Sequence, residues 1–268
     1  EEKSKTGETA MKKFDVFVLG SGMAGMNIAN ICAGKGLKVG ITDELPYGGT
    51  CALRGCDPKK IMLGATEAKD FAQRLHEKQI AEVPAKHWEA AMKSKQEFVD
   101  AMPPKIEKGY KHNGIETFHK SAKFISENQL QVGDETIEAE KIVIATGAKP
   151  KVLGIPGEEH TLTSTDFLDF DKLPKSIVFI GGGYIAFEFA HMAARFGSEV
   201  IILHRSERPL ENFDPFIVEQ LTEATKKLNI RVVLNTNVTA VEKSGNSYLV
   251  TGKNENGEQN WEAEAVIN

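Results

Sequence analysis

Short apolar runs alternate with longer stretches whose apolar residues recur every three to four positions, and this alternation occurs twice along the chain. Phe14 to Leu19 (FDVFVL) ends at a glycine and reads as a buried parallel strand. A helical stretch, Met23 to Lys35, and a second apolar run, Leu37 to Thr42, complete a strand–helix–strand unit. Residues 59 to 112 carry helical periodicity, with Pro103-Pro104 expected to break or kink the second helix. From Ala122 to Ile144 the period changes to two, predicting short strands separated by turns at Ser126-Asn128 and Gly133-Asp134.

The pattern then restarts beyond a Pro- and Gly-rich stretch at Lys149 to Glu159. Ile177 to Ile180 is a strand, Tyr184 to Phe196 a helix, and Glu199 to Leu203 the next strand, with short strands again over 237–268. The first copy ends IEAEKIVI (137–144) and the second WEAEAVIN (261–268), and the matching order of whole elements indicates an internal duplication. This predicts an α/β fold of two domains, 11–150 and 151–268, each with a parallel sheet and a small antiparallel meander. The leading EEKSKTGETA lacks the apolar core of a signal peptide and is expected to be disordered or an expression remnant before Met11.

Composition narrows the function classes. With 33 basic against 38 acidic residues, a net charge of −5 offers no basic surplus for nucleic acid or anionic membrane. The most apolar stretch, Ile177 to Phe189, is too short and too interrupted to span a bilayer. Three cysteines do not make a secreted disulfide framework, so a cytoplasmic protein is the default expectation.

Each copy opens with a glycine turn between strand and helix. Gly20-Ser21-Gly22-Met23-Ala24-Gly25 fits G-x-G-x-x-G: the first glycine turns the chain, the second lets backbone approach a pyrophosphate, and the third lets helix pack on strand. Asp43 closes the following strand, where a carboxylate accepts ribose hydroxyls. The second turn, Gly181-Gly182-Gly183-Tyr184-Ile185-Ala186, leads to a strand ending Leu203-His204-Arg205, without an acid at that place. Arg205 can grip a 2′-phosphate through its planar fork, so the second site is read as one for NADPH, with NADH less favoured.

Cys51 and Cys56 stand five apart in GGTCALRGCDPKK (48–60), and no second pair with zinc spacing accompanies them. On an unbroken helix, five residues would place the side chains about 140° apart, so a bridge between them needs distorted backbone near Gly55. Strained disulfides are the reducible ones.

This segment resembles the active site of the flavin-dependent pyridine nucleotide–disulfide oxidoreductases, GGTC-x₄-GC-x-P, the group of glutathione reductase, dihydrolipoamide dehydrogenase and mercuric reductase. The resemblance runs from about Phe14 to Asn268. It implies FAD held by Gly20, Gly22, Gly25, Asp43, Gly49, Thr50, Thr146 and Gly147, with Ala122 beside the adenine, and a pyridine nucleotide held by Gly181, Gly183, Tyr184, Ile185 and Arg205. It implies that Cys51 attacks the substrate, that Cys56 lies nearer the flavin, and that Lys59, or else Lys60, pairs with Glu188 beside it. The implied reaction passes a hydride from NADPH to FAD and two electrons on to Cys51–Cys56, whose dithiol reduces a small-molecule disulfide. The alternatives are an NAD-dependent dihydrolipoamide dehydrogenase-like enzyme and a nucleotide-binding flavoprotein module with inert cysteines.

Glutathione reductases resemble one another in an arginine where this chain has Asn30-Ile31, and in a tyrosine near Met102–Ile106, so the substrate stays open. Family members continue for about another half-length, with a second FAD segment and an interface domain bearing a His-Glu pair. The resemblance therefore implies that these 268 residues are part of a longer, homodimeric enzyme.

Overall fold

A computed structural model of the protein describes residues 11–82 and 87–268; the leading ten residues, read above as disordered or a remnant, lie outside it. Contacts divide the chain into two units: the chain up to Pro58 with Glu97–Lys149, and Lys59–Gln96 with Pro150–Asn268.

In the first unit β1 (Lys12–Leu19), α1 (Met23–Gly34) and β2 (Val39–Thr42) form the expected strand–helix–strand unit. Six strands make one sheet in the order β3-β2-β1-β6-β5-β4, with β3 at Glu116–Phe118, β4 at Ala122–Phe124, β5 at Gln129–Val132 and β6 at Glu135–Ile144. β3, β2, β1 and β6 run parallel, while β4, β5 and the start of β6 form the antiparallel meander. The ten-residue β6 belongs to both parts, pairing with β5 through Glu135–Glu138 and with β1 through Ile137–Ile144. One face of the sheet buries Phe14, Phe17 and Phe118, whose rings meet at 5.3–6.0 Å, and the other packs Val16, Val18 and Ile41 against α1 and Tyr110.

The second unit repeats the plan after a short α5 (Ser164–Phe167): β7 (Ser176–Ile180), α6 (Tyr184–Phe196), β8 (Glu199–Leu203), β9 (Arg231–Val233) and β13 (Ala265–Ile267) give a four-stranded parallel sheet in the order β13-β7-β8-β9. The corresponding order in the first unit is β6-β1-β2-β3, so the duplication read from sequence holds at the level of topology. The second meander is a separate sheet of β10 (Asn237–Ser244), β11 (Ser247–Asn254) and β12 (Gly257–Ala263). A bend at Glu264 divides β12 from β13, at the place where β6 runs straight through. α7 (Pro215–Lys226) is capped by Asp214, whose carboxylate accepts from the backbone N–H groups of Phe216 and Ile217.

Two sequence expectations change. The stretch 59–96 groups with the second unit, because Met62, Trp88 and Met92 are buried with Phe167, Phe187 and Phe189 in one core. Both helices of this region, α3 (Cys56–His76) and α4 (Trp88–His112), therefore contain a unit boundary. And α4 is not broken at Pro103-Pro104: it is helical over 25 residues. A proline offers no N–H to the preceding turn, but Trp88 and Met92 near one end of the helix and Ile106 and Tyr110 near the other are anchored in cores that hold both halves in place.

Candidate functional site

The first glycine turn is shaped by close approach. Gly20 sits at φ +99°, and a Cβ there would lie 2.4 Å from the carbonyl oxygen of Ala145 and 3.2 Å from the Cα of Thr146. A Cβ on Gly25 would lie 1.9 Å from the Gly20 carbonyl oxygen, so α1 can sit on β1 only with glycine there. A Cβ on Gly49 would come within 2.4 Å of the Cα of Gly22, so two backbones abut without side chains. Gly22 caps α1 without a side-chain hydrogen bond, and no acid stands in the first turn. The first N–H groups of α1 thus point to a surface of bare backbone, which is what a pyrophosphate requires. Thr50 is exposed at the start of α2 (Gly49–Arg54), Gly147 turns the chain after β6 at φ +77°, and Ala122 opens β4. The residues expected to hold FAD within the first unit fit a dinucleotide in this respect.

Asp43 has partners within the chain that the sequence did not announce. Its Oδ2 accepts from the backbone N–H and the hydroxyl of Ser21 at 2.8 and 2.7 Å, and its Oδ1 accepts from Leu45 N–H at 3.0 Å. A carboxylate has about four acceptor positions, so roughly one is left for a ribose hydroxyl. Buried Ser21 also accepts from Gly48 N–H at 3.2 Å, tying the glycine turn, the end of β2 and the entry to the cysteine segment together. Nearby, Tyr47 donates to the Phe118 carbonyl at 2.7 Å, while the buried Tyr110 hydroxyl has no hydrogen-bond partner among the described residues. Burial, with the Asp43 charge adding to it, pushes the Tyr110 hydroxyl up to about 12.

The helix break required by the cysteine spacing is present. α2 ends at Arg54, Gly55 is non-helical, and α3 begins at Cys56. A Cβ at Gly55 would lie 2.9 Å from the Thr50 carbonyl oxygen, so the break too depends on a missing side chain. Cys51 is half-buried and Cys56 exposed.

Farther along α3, Lys59 donates to both carboxylate oxygens of Glu188 at 2.8 and 2.7 Å. Lys60 points to solvent, so the choice between the two lysines falls on Lys59. Residues 59, 63, 66 and 70 of α3 and 188, 191 and 195 of α6 recur at helical spacing. They close a second ion pair, Arg195 Nε to Asp70 Oδ1 at 2.9 Å, at the far end of the same pair of helices. Between the two pairs lies a cavity of about 640 Å³ with Leu63, Phe71, Phe187 and Met192 in its walls. On its wall, His191 Nε2 meets the Thr225 hydroxyl at 2.8 Å and Nδ1 meets the Arg195 guanidinium at 3.1 Å. The Thr225 hydroxyl donates to the Leu221 carbonyl, and arginine can only donate, which assigns the His191 proton to Nε2. Burial, reinforced by Arg195, lowers its pKa to about 4.

The second glycine turn copies the first with one exchange. Gly181 has φ +105°, and its N–H donates to the Leu203 carbonyl at 2.8 Å, as Gly20 N–H does to Thr42. Where Asp43 holds Ser21, His204 holds Gly182: its Nδ1 accepts the Gly182 N–H at 3.0 Å, and Nε2 donates to the Arg208 carbonyl at 3.0 Å. A Cβ at Gly182 would lie 2.9 Å from the imidazole, so the larger ring requires the smaller partner. Gly183 caps α6 without a side-chain bond, and Tyr184 and Ile185 are exposed at its start. Arg205 is exposed, whereas the Arg208 guanidinium donates to the carbonyls of Glu211 and Phe213.

A family model described as pyridine nucleotide-disulphide oxidoreductase matches residues 14–267. The chain belongs to this family. It is 34% identical to a glutathione reductase of Burkholderia cepacia over 86% of the chain and 51% of that protein. It is 31% identical to a dihydrolipoyl dehydrogenase of Mycoplasma genitalium over 89% and 54%, and 30% identical to a mercuric reductase of Staphylococcus aureus over 100% and 50%. Among solved structures, the HOCl-induced flavoprotein disulfide reductase RclA from Escherichia coli superposes with a TM-score of 0.81 at 28% identity, covering 94% of this chain and 55% of that one. The chain thus spans about half the length of the curated relatives it matches. Members of the family are enzymes that use FAD and a pyridine nucleotide.

Sequence reading missed Ser21, His204 and the Asp70–Arg195–His191 chain. Ser21 and His204 become visible when the two copies are superposed turn on turn, because Ser21/Asp43 and Gly182/His204 then share positions. Among the described residues there is no metal-binding cluster, and no helix is long and apolar enough to cross a membrane.

Proposed function

We propose that this chain supplies the FAD site, the redox-active cysteine pair and the pyridine-nucleotide site of a homodimeric NADPH-dependent disulfide reductase acting on a small-molecule disulfide. The observation that carries the reading is the cysteine pair flanking the Gly55 break, in a chain that also holds two bare-backbone glycine turns. When bound, FAD relays two electrons from a nicotinamide hydride to a disulfide. Gly20, Gly22, Gly25 and Gly49 would seat its pyrophosphate, with Asp43 at the ribose. The Lys59–Glu188 pair would set a fixed positive charge, with its counter-ion, beside the ring.

Reduction of the Cys51–Cys56 disulfide by two electrons and two protons gives the dithiol. The Cys51 thiolate attacks one substrate sulfur, forming a mixed disulfide and releasing the first thiol. Cys56 then attacks the Cys51 sulfur, releasing the second thiol and closing the original disulfide. Oxidised protein with excess FAD should gain two thiols per chain on anaerobic addition of NADPH, and Cys51→Ser and Cys56→Ser variants should gain none. No gain in the parent protein would refute disulfide chemistry. The roles separate in a trapping experiment: Cys56→Ser should accumulate a mixed disulfide at Cys51, and trapping at Cys56 in Cys51→Ser instead would reverse the assignment.

The choice of NADPH rests on Arg205, exposed at the end of β8 with no acid beside it in sequence. Losing a charge-assisted bond to phosphate costs about 1.5–3 kcal/mol, or roughly ten- to a hundredfold in affinity. Arg205→Glu should shift the NADPH-to-NADH ratio by that amount toward NADH; an unchanged ratio would remove Arg205 from the site.

A further inference from the structure

A chain of hydrogen bonds leads from the end of β2 to the entry of the cysteine segment, and Ser21 is its middle member. Ser21 is fully buried, and a hydroxyl has one proton to give. It gives that proton to Asp43 Oδ2 at 2.7 Å and accepts the Gly48 N–H at 3.2 Å, so both bonds are polarised toward the carboxylate. Gly48 and Gly49 have φ of +130° and +60°, left-handed conformations that glycine adopts at a large loss of backbone freedom. Gly48 caps α2 without a side chain, so the bond from its N–H to Ser21 stands in for a cap in anchoring this end. Cys51 lies in the first turn of that helix. The second copy is an internal comparison: Gly182 stands at the place of Ser21, its bond to His204 comes from backbone alone, and no cysteine follows β8.

We infer that Ser21 is a positioning residue that couples the adenosine ribose of FAD to the segment bearing Cys51. The inference rests on the reading of the first glycine turn as the FAD site. With two donors from Ser21 on Oδ2 and the Leu45 N–H on Oδ1, the Asp43 carboxylate is fixed in one orientation and keeps about one acceptor place for a ribose hydroxyl. A hydroxyl seated there removes the remaining motion of the carboxylate. With it goes the motion of the Ser21 hydroxyl and of the Gly48 N–H bonded to it. Occupancy at the adenosine end therefore orders the start of α2, and Ser21 is the link.

Two ligands test this without turnover: FAD, and its analogue with a 2′,3′-dideoxy ribose on the adenosine half, which differ only in the hydroxyls available to Asp43. Fluorescence titration of the full chain should show FAD binding about tenfold more tightly than the analogue, the order of a hydrogen bond to a charged acceptor. In Ser21→Ala the gap should close to roughly threefold or less, because the carboxylate is no longer held toward the ribose. At saturation, the Gly48 amide of the parent protein should exchange with deuterium roughly threefold more slowly with FAD than with the analogue, although both ligands fill the same site. In Ser21→Ala the two exchange rates should coincide. Weaker binding of both ligands by the variant, with the gap unchanged, makes Ser21 a packing residue and overturns the inference. So do equal Gly48 exchange rates in the parent with the two ligands, a measurement that stands even where Ser21→Ala does not fold. Failure of the parent to bind either ligand overturns the FAD site itself, and this inference with it.

Discussion

A Gly25→Ala variant should bind added FAD more weakly than the parent protein and melt well below it. The added methyl would stand 1.9 Å from the Gly20 carbonyl oxygen and 3.1 Å from Val18 Cγ1, one backbone and one fully buried. Neither can step aside, so α1 has to lift from β1, and with it the N–H groups that face the pyrophosphate. Overpacking of this kind costs about 1–3 kcal/mol and more where backbone is struck, which for a chain of this size is on the order of 5–10 °C in melting temperature. Gly34, at the other end of the same helix, has nothing within 4 Å of its would-be Cβ. Gly34→Ala should therefore be neutral or gain about 0.5–1 kcal/mol from helix propensity. Equal affinity for added FAD and equal melting temperature for the two variants would show that the close approach at Gly25 does not govern the site.

Acidification from pH 6.5 toward 4 should cost the protein on the order of 2 kcal/mol through His191 alone. In the folded state its pKa is about 4, because it is buried between Thr225 and Arg195; in the unfolded chain it returns to about 6.5. The unfolded state thus takes up the proton first. The stabilisation is complete above pH 6.5 and is lost as the pH falls through that window, the sign expected wherever the unfolded state binds more protons. The full shift would correspond to about 3 kcal/mol, reduced here because the ring is half-buried. Urea unfolding at pH 7.5 and pH 5 measures the loss. A His191→Gln variant should be less stable at the higher pH and should lose distinctly less than the parent between the two. Parallel losses in parent and variant would take His191 out of the account.

Much of this could be read from residues alone, and the reasons for the exceptions are specific. α6 and β8 have the bounds expected from their periodicity, because a glycine turn starts one and a short β-branched run forms the other. The cysteine motif placed its own helix break, since five residues on an intact helix cannot bring two sulfur atoms together. Periodicity could not tell which unit the helices of 59–96 join, because an apolar face says that something covers it and not what does. The prolines of α4 did not break it, because local propensity was outweighed by anchoring at both ends.

The two meanders differ in one joint, and that joint governs how each comes apart. In the first unit a single strand, β6, carries both the antiparallel and the parallel ladder, so freeing β4 and β5 strips an edge from the strand that also supports β1. The two ladders share one cooperative opening. In the second unit the bend at Glu264 separates the ladders, and the three-stranded sheet meets the parallel one through side chains, Val241, Val250 and Trp261 sharing a core with Val178, Leu203 and Val266. Opening β10–β12 therefore breaks no ladder bond of the parallel sheet but uncovers its apolar face at Val178, Leu203 and Val266, whereas opening β4 and β5 breaks into the sheet that carries the first turn.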